Sequence, residues 1–236
     1  MLAEKVIIVT GAGRSLGAEI AATCRADGAT VVATDISPEM LAVASSRANA
    51  DGLDNIEFVE MDAEQLKFDD AEFDAVTNAY GLMFCPDMPR AFREAHRVLR
   101  AGGRFALVTW DDPSKSPFFS VITPVAVPFL SLQPLDLAVP GPFRLSSPSQ
   151  LELLLSEAGF SDVRVESVAM TLELASAAEY LQIFSDVAWK ARVASLSDAD
   201  LVDFREAVAK AARPYVDEVS GRLRLVATSL CASGRR

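Results

Sequence analysis

Five apolar runs alternate with helical patterns in the first half of the chain, and this alternation constrains the fold more than any other feature. The runs are residues 5–10 (KVIIVT), 30–35 (TVVATD), 55–60 (NIEFVE), 73–79 (FDAVTNA) and 103–110 (GRFALVTW). Continuous apolar runs are typical of strands that are buried on both faces. Strands that alternate with helices at this spacing predict a parallel α/β sheet with right-handed crossovers.

Helix signals occur between these runs and after them. Gly28 stops the first helix, Ser37 and Pro38 begin the second, and the RAGG sequence at 100–103 predicts a glycine stop for the next one. The predicted helices cover residues 15–27, 88–99, 147–158, 176–190 and 197–213, with a further helix after Ser37. Two more strands are predicted over residues 162–172 and 221–232.

The length of 236 residues, half of them hydrophobic, is ordinary for one α/β domain. We therefore expect a single Rossmann-like domain over residues 1–236. Eight of the twelve prolines fall between residues 113 and 148. They predict an irregular Pro-rich flap over about 113–146, and we expect helical additions over about 176–213.

Charge and cysteine usage limit the partners and the compartment. The net charge of −11 lacks the positive footprint that nucleic acid requires, so no nucleic-acid partner is predicted. The most apolar long stretch, residues 117–145, is broken by five prolines and predicts no membrane span. Cys24, Cys85 and Cys231 show no metal or disulfide spacing. They favour reduced thiols in a cytoplasmic protein, and the charged start MLAEKV predicts no signal peptide.

Ligands of open α/β sheets bind beyond the carboxyl ends of the strands. Asp35 ends the second run, 18 residues after Gly17, where a carboxylate can accept hydrogen bonds from the hydroxyls of an adenosine ribose. The alternative is an acid at the start of the next helix. Asp62 follows the third run and can accept from an adenine amino group, with the backbone of Ala63 nearby. It can equally cap its own loop.

From residue 30 onward the sequence resembles class I S-adenosylmethionine-dependent methyltransferases of the ubiquinone and menaquinone biosynthesis type. The resemblance rests on DISPEML, MDAEQLKFDDAEFDAV, YGLMFCPDMPRAFREAHRVLRAGGRF and GPFRLSSPSQLELLLSEAGFSDVRVESV, which occur in the family's order. It implies a seven-stranded sheet of order 3-2-1-4-5-7-6 with strand 7 antiparallel.

The same resemblance implies how S-adenosylmethionine is held. Asp35, with its neighbour Ile36, would bind the ribose. Asp62, with Ala63, would bind the adenine amino group. Asn78, Ala79 and Tyr80 would line the methionine end.

The first 29 residues differ from that family and resemble short-chain dehydrogenases instead. Ile8 or Val9 stands where the methyltransferases carry an acid, and the family's N-terminal helical segment is missing. The loop TGAGRSLG is similar to the dehydrogenase T-G-x-x-x-G-x-G, with Ser15 in place of one glycine. The cofactor-binding residues predicted in this loop are Thr10, Gly11, Gly13, Arg14, Ser15 and Gly17. We interpret the chain as a composite of two Rossmann families.

This loop makes NAD the alternative cofactor, because a helix N-terminus with Arg14 beside it suits a diphosphate. Dehydrogenase catalysis would require a lysine four residues after a tyrosine, to lower the pKa of the tyrosine. The tyrosines Tyr80, Tyr180 and Tyr215 are followed at that spacing by Phe84, Phe184 and Val219. Hydride transfer by that mechanism is therefore not predicted.

Methyl transfer requires mainly alignment of the reacting atoms and exclusion of water. Asp111 and Asp112, after the fifth run, are candidates for a catalytic role, although they can simply end a strand before Pro113. His96 lies inside a predicted helix and is expected to have a surface or packing role. Four aromatics of the flap either line an apolar acceptor pocket or pack the flap itself: Phe118, Phe119, Phe129 and Phe143.

The sequence thus predicts S-adenosylmethionine-dependent methylation of a small, largely apolar molecule, without a metal. One alternative is an NAD-binding Rossmann protein with little or no catalysis. The other is a non-enzymatic scaffold.

Overall fold

The computed structural model describes residues 2–12, 15–53 and 56–236, without the side chains of residues 15 and 16. Contacts between residues divide the chain into two compact units. The first unit comprises residues 1–110, 137–167 and 229–236, and the second comprises residues 111–136 and 168–228. The assignment of the whole chain to one domain stays a prediction.

Seven strands of the described residues form one sheet of order β3-β2-β1-β4-β5-β7-β6, which confirms the predicted order. They are β1 Val6–Thr10, β2 Thr30–Asp35, β3 Ile56–Glu60, β4 Phe73–Ala79, β5 Leu99–Trp110, β6 Ser161–Leu174 and β7 Leu223–Arg235. The first five are mutually parallel, so their carboxyl ends lie at one edge of the sheet. Strand β7 runs antiparallel to β5, as predicted.

The helices of the described residues are α1 Ser15–Ala26, α2 Pro38–Ala50, α3 Met88–Val98, α4 Pro117–Ser120, α5 Ile122–Leu130, α6 Pro148–Glu157, α7 Ala177–Val187, α8 Lys190–Ala194 and α9 Asp198–Ala212. Short polar side chains begin several of them. The hydroxyl of Ser37 accepts from the backbone N–H of Met40, and Pro38 is the first residue of α2, as predicted. The carboxylate of Asp87 caps α3 in the same way.

Both faces of the sheet are covered, which explains why β1 is apolar throughout. Ile7 and Val9 belong to a cluster that includes Ala21 and Cys24 of α1. Ile8 points to the opposite face and joins the larger core of the first unit. Because successive strand residues point to opposite faces, only an uninterrupted apolar run satisfies both sides.

The start of β5 differs from the prediction. The RAGG sequence at residues 100–103 does not form a separate stop between helix and strand, because β5 begins at Leu99, directly after α3. Leu99 pairs with Phe73, and the register then shifts so that Arg104 pairs with Ala75. The glycines therefore form an irregularity inside the strand, where Gly102 adopts a φ of 78°.

The Pro-rich segment is more regular than predicted. Helices α4 and α5 occupy residues 117–130, while residues 131–147 contain neither helix nor strand. In the second unit Phe118 and Phe119 are buried and contact Phe184 of α7. Phe129 lies 5.0 Å from Phe204 of α9, measured between ring centroids. These three aromatics therefore pack against helices outside the flap, and both alternatives stated for them stay predictions.

Candidate functional site

The predicted cofactor residues of the first unit lie at the carboxyl edge of the parallel strands. The registers set Thr10 beside Thr34 and Asn78, and Asp35 beside Glu60. The ends of β1, β2, β3 and β4 are therefore level with one another. Strand pairing alone brings together residues that are far apart in sequence.

The glycine-rich loop requires glycine at two described positions. Gly11 has a φ of 69°, a conformation that favours glycine. A Cβ on Gly17 would lie 2.3 Å from the carbonyl oxygen of Gly11, so the start of α1 approaches the loop too closely for any side chain. Gly13 and Arg14 lie outside the described residues, as does the side chain of Ser15.

A buried amide connects this loop to the end of β4. The side-chain amide of Asn78 donates to the hydroxyl of Thr10 at 2.7 Å and to its carbonyl at 3.3 Å. The amide oxygen of Asn78 accepts from the backbone N–H groups of Gly81 and Leu82 at 3.1 and 3.0 Å. Asn78 is predicted to line the methionine end, and its observed contacts give it a positioning role in the loop architecture.

Asp35 closes β2 with its side chain partly exposed. Its Oδ1 accepts from the backbone N–H of Ser37 at 3.0 Å, and its backbone carbonyl accepts from Met61. The adjacent Ile36 is 69% exposed and presents an apolar surface beside the carboxylate. A partly exposed carboxylate at the end of a strand, next to an exposed aliphatic side chain, suits a nucleoside, which offers hydroxyls and a flat base.

Asp62 opens the loop after β3 and is exposed. Its Oδ1 accepts from the backbone N–H of Glu64 at 2.9 Å, and its carbonyl accepts from Gln65. The capping role that the sequence allows is therefore present. Among the described residues no donor is recorded for its Oδ2, and Ala63 beside it is half-buried.

Tyr80 follows β4 in a left-handed conformation, with a φ of 55°. Its ring lies 4.4 Å from that of Trp110 at the end of β5, and its hydroxyl lies 2.8 Å from Oγ of Ser229 in β7. Burial raises the pKa of Tyr80, so its hydroxyl is neutral at physiological pH. Ser229 is a residue that the sequence analysis missed, because its link to Tyr80 spans 149 positions.

The two candidate catalytic aspartates belong to the second unit and have local partners there. Asp111 is fully buried and pairs with Nζ of Lys115 at 3.0 Å. Asp112 accepts from the N–H and the hydroxyl of Ser114, contacts that lower the pKa of Asp112. Their catalytic role stays a prediction, and the contacts observed are those of a turn after a strand.

The cysteines and the histidine have no catalytic geometry in the described residues. Burial raises the pKa of Cys85 to about 12, so the group is a thiol rather than a nucleophilic thiolate. His96 packs edge-on against Phe160 at 5.0 Å, as its expected packing role requires. The described residues contain no cluster of metal-binding side chains, and none of the described helices has the length and hydropathy of a membrane span.

Residues 9–107 match the methyltransferase domain family. This segment of the chain is therefore similar to methyltransferase domains. The match begins inside β1 and includes the glycine-rich loop, so a boundary at residue 29 is not supported. The comparisons likewise give no support to a composite origin or to an NAD-binding loop.

The curated relatives match only a part of this chain. Demethylmenaquinone methyltransferase from Thermus thermophilus is 42% identical over 109 residues, which are 45% of this chain and 49% of the relative. The C-methyltransferase UbiE of ubiquinone and menaquinone biosynthesis from Brucella anthropi is 46% identical over 83 residues, which are 35% of this chain and 32% of the relative. The chain thus spans half or less of the length of these relatives.

Solved structures show the same fold over almost the whole chain. The YcgJ protein from Bacillus subtilis superposes with a TM-score of 0.64 at 21% identity, covering 99% of this chain and 92% of that one. Phosphoethanolamine N-methyltransferase 2 from Haemonchus contortus, solved with S-adenosyl-L-methionine, has a TM-score of 0.57 at 19% identity. It covers 99% of this chain and 49% of that one.

Proposed function

We propose that the protein transfers a methyl group from S-adenosylmethionine to a small, largely apolar molecule. The observation that carries the proposal is a methyltransferase family match over residues 9–107, a segment that includes Asp35, Asp62 and the glycine-rich loop at one edge of the sheet. The names of the curated relatives, which refer to quinone methylation, support an apolar acceptor.

The residues at this edge fit an adenosine cofactor. Gly17 lets the start of α1 pack directly against the backbone of Gly11, in a space that a Cβ would fill. In this proposal Asp35 accepts hydrogen bonds from the ribose hydroxyls, and Asp62 accepts from the adenine amino group. Asn78 bonds the end of β4 to the end of β1, and we propose that the methionine end of the cofactor lies beside it. The bound cofactor supplies an electrophilic methyl group on its sulfonium.

Binding is tested by calorimetry with four ligands in turn: S-adenosylmethionine, S-adenosylhomocysteine, NAD and NADP. We expect binding of the first two and not of the last two. Bound ligand at 100 times Kd should stabilise the protein by about 2.7 kcal/mol. Stabilisation by NAD alone would instead support the alternative cofactor, and no response to any of the four would support the scaffold.

Asp35→Ala tests the site itself. The change leaves ribose hydroxyls without an acceptor, so the affinity for S-adenosylhomocysteine should fall by about 1–3 kcal/mol. Asp51→Ala is the matched control, because Asp51 is an exposed aspartate that ends α2. Equal affinities of the two variants would contradict the assignment of Asp35.

The acceptor is tested by mass spectrometry of products formed with S-adenosylmethionine. We expect methylation of a demethylmenaquinol analogue with a short isoprenoid tail and not of phosphoethanolamine. Methylation of the polar amine alone would contradict the apolar acceptor while leaving the methyltransferase activity in place.

A further inference from the structure

The loop between β3 and β4, residues 61–72, contains neither helix nor strand, yet it carries Asp62. A loop of this kind needs side chains from elsewhere to satisfy its backbone groups and to hold one conformation. In this protein two charged residues of α3 supply most of those contacts: Glu94 and Arg97.

Arg97 uses all five of its N–H groups. One amino group, Nη1, donates to the carbonyl of Phe68 and to the carboxylate of Asp70, both at 2.8 Å. The other, Nη2, donates to the carbonyl of Leu66 at 2.8 Å and to Oε2 of Glu94 at 2.9 Å, while Nε donates to Oε1 of Glu94 at 2.8 Å. Three alternate residues of the loop are therefore held by one planar guanidinium.

Glu94 completes the arrangement from the other side. Its Oε2 accepts from the backbone N–H of Leu66 at 2.8 Å, so both backbone polar groups of Leu66 are satisfied by α3 side chains. The hydrogen bonds from Arg97 lower the pKa of Glu94, so the carboxylate stays charged. The Glu94 side chain is 19% exposed and that of Arg97 30%, which limits screening of the pair by solvent.

The loop is also anchored near Asp62. The backbone N–H of Asp87, the cap of α3, donates to Oε1 of Glu64 at 2.8 Å, and the N–H of Glu64 donates to Asp62. Leu66 is buried in the core of the first unit. Hydrogen bonds therefore lead from the cap of α3 through Glu64 to the carboxylate of Asp62. Leu66, which Glu94 and Arg97 hold, is joined to the same turn through its neighbour Gln65, whose N–H donates to the carbonyl of Asp62.

We propose that Glu94 and Arg97 are positioning residues that fix the loop after β3, so that Asp62 accepts from the adenine amino group of the cofactor. The inference rests on the proposed function. We assign neither residue a contact with the cofactor, and their effect is on base selectivity through the loop. A lysine cannot replace Arg97, because one ammonium cannot reach two carboxylates and two carbonyls in the same plane.

The test compares the Kd values of S-adenosylhomocysteine and S-inosylhomocysteine, in which an oxo group replaces the adenine amino group. The wild-type protein should bind the adenine compound more tightly, by about tenfold or more, because S-inosylhomocysteine has no amino group to donate to the carboxylate of Asp62. Arg97→Lys should reduce this preference to about twofold or less. Arg100→Lys is the matched control, because the side chain of Arg100 pairs with Asp74, which lies outside the loop, and this variant should keep the preference.

A merely structural role gives a different result. General destabilisation would weaken both ligands equally and leave their ratio unchanged, which would overturn the proposal. Glu94→Gln is a second and milder variant, because it keeps an acceptor for Leu66 but loses the charge. It should lose less of the preference for S-adenosylhomocysteine than Arg97→Lys does. In the double variant Asp62→Asn/Arg97→Lys the ratio should equal that of Asp62→Asn alone, because both changes remove the same contact.

The remaining outcomes separate this inference from the proposed function. If the wild-type protein binds both compounds without preference, the inference fails while S-adenosyl binding stands. If it binds neither, the proposed function fails and the inference fails with it.

Discussion

Replacing Gly17 by alanine tests the close approach between α1 and the glycine-rich loop. Gly17 is the third residue of α1, and in an ordinary helix alanine is more favourable than glycine by about 1 kcal/mol. Helix propensity alone therefore predicts a stabilised protein. The tertiary structure instead predicts that the variant is less stable than wild type.

The magnitude follows from the distances between the new Cβ and the backbone of the loop. The new Cβ would lie 2.3 Å from the carbonyl oxygen of Gly11 and 3.0 Å from Cα of Ala12, while real Cβ contacts essentially never fall below 3.0 Å. The helix start and the loop would have to separate by at least 0.7 Å (3.0 minus 2.3). The obstructing atoms belong to the backbone, so we place the cost at the upper end of the range for overpacking, about 3 kcal/mol. Subtracting the propensity gain leaves a net loss of about 2 kcal/mol.

Urea denaturation followed by circular dichroism measures this loss, and calorimetry with S-adenosylhomocysteine measures the accompanying loss of affinity. Gly141→Ala is the control, because a Cβ there meets only the carbonyl oxygen of Val139 at 3.9 Å. That variant should be as stable as wild type or slightly more stable. If Gly17→Ala proves more stable than wild type and binds ligand equally well, the loop adjusts freely and the reasoning from close approach is refuted.

Two further predictions concern stability. Tyr80→Phe and Ser229→Ala should each destabilise the protein by about 1 kcal/mol in urea denaturation, since either change breaks the hydrogen bond between them; fully additive losses in the double variant would show that the bond contributes nothing. Burial and then the charge of Arg236 lower the pKa of His96. Below about pH 6.5 the unfolded chain therefore binds more protons than the folded one, and the free energy of unfolding decreases as the pH is lowered. His96→Gln should lose less stability than wild type between about pH 7.5 and 5.5, and parallel curves for the two proteins would contradict the assignment.

Local patterns predicted the secondary structure of this chain well. The run VIIVT became β1, and Ser37 with Pro38 became the start of α2, because both signals act within a few residues. The RAGG sequence was misinterpreted for the opposite reason. A glycine-rich stop is locally plausible there, but pairing of Leu99 with Phe73 extends the strand back to the end of α3.

In the candidate site, too, local sequence predicted some features, and others depend on contacts between distant residues. The position of Asp35 and Asp62 at the carboxyl edge of the sheet could be predicted, because each lies where a parallel strand ends. Their role in binding a cofactor stays a prediction. The hydrogen bond of Tyr80 with Ser229 and the contacts of Arg97 with Leu66 and Phe68 could not be predicted, because no periodicity connects residues that are about 30 to 150 positions apart.

The sequence by itself determined which segments are strands and helices, and it determined the strand order through resemblance to a family. Only the tertiary structure decided the hydrogen-bond partners of the polar side chains between these segments, because a buried donor or acceptor takes the partner that packing brings within about 3 Å. Asn78 is the clearest example. The family resemblance implies that Asn78 lines the methionine end, which stays a prediction, and only the fold shows that its amide bonds to Thr10, Gly81 and Leu82.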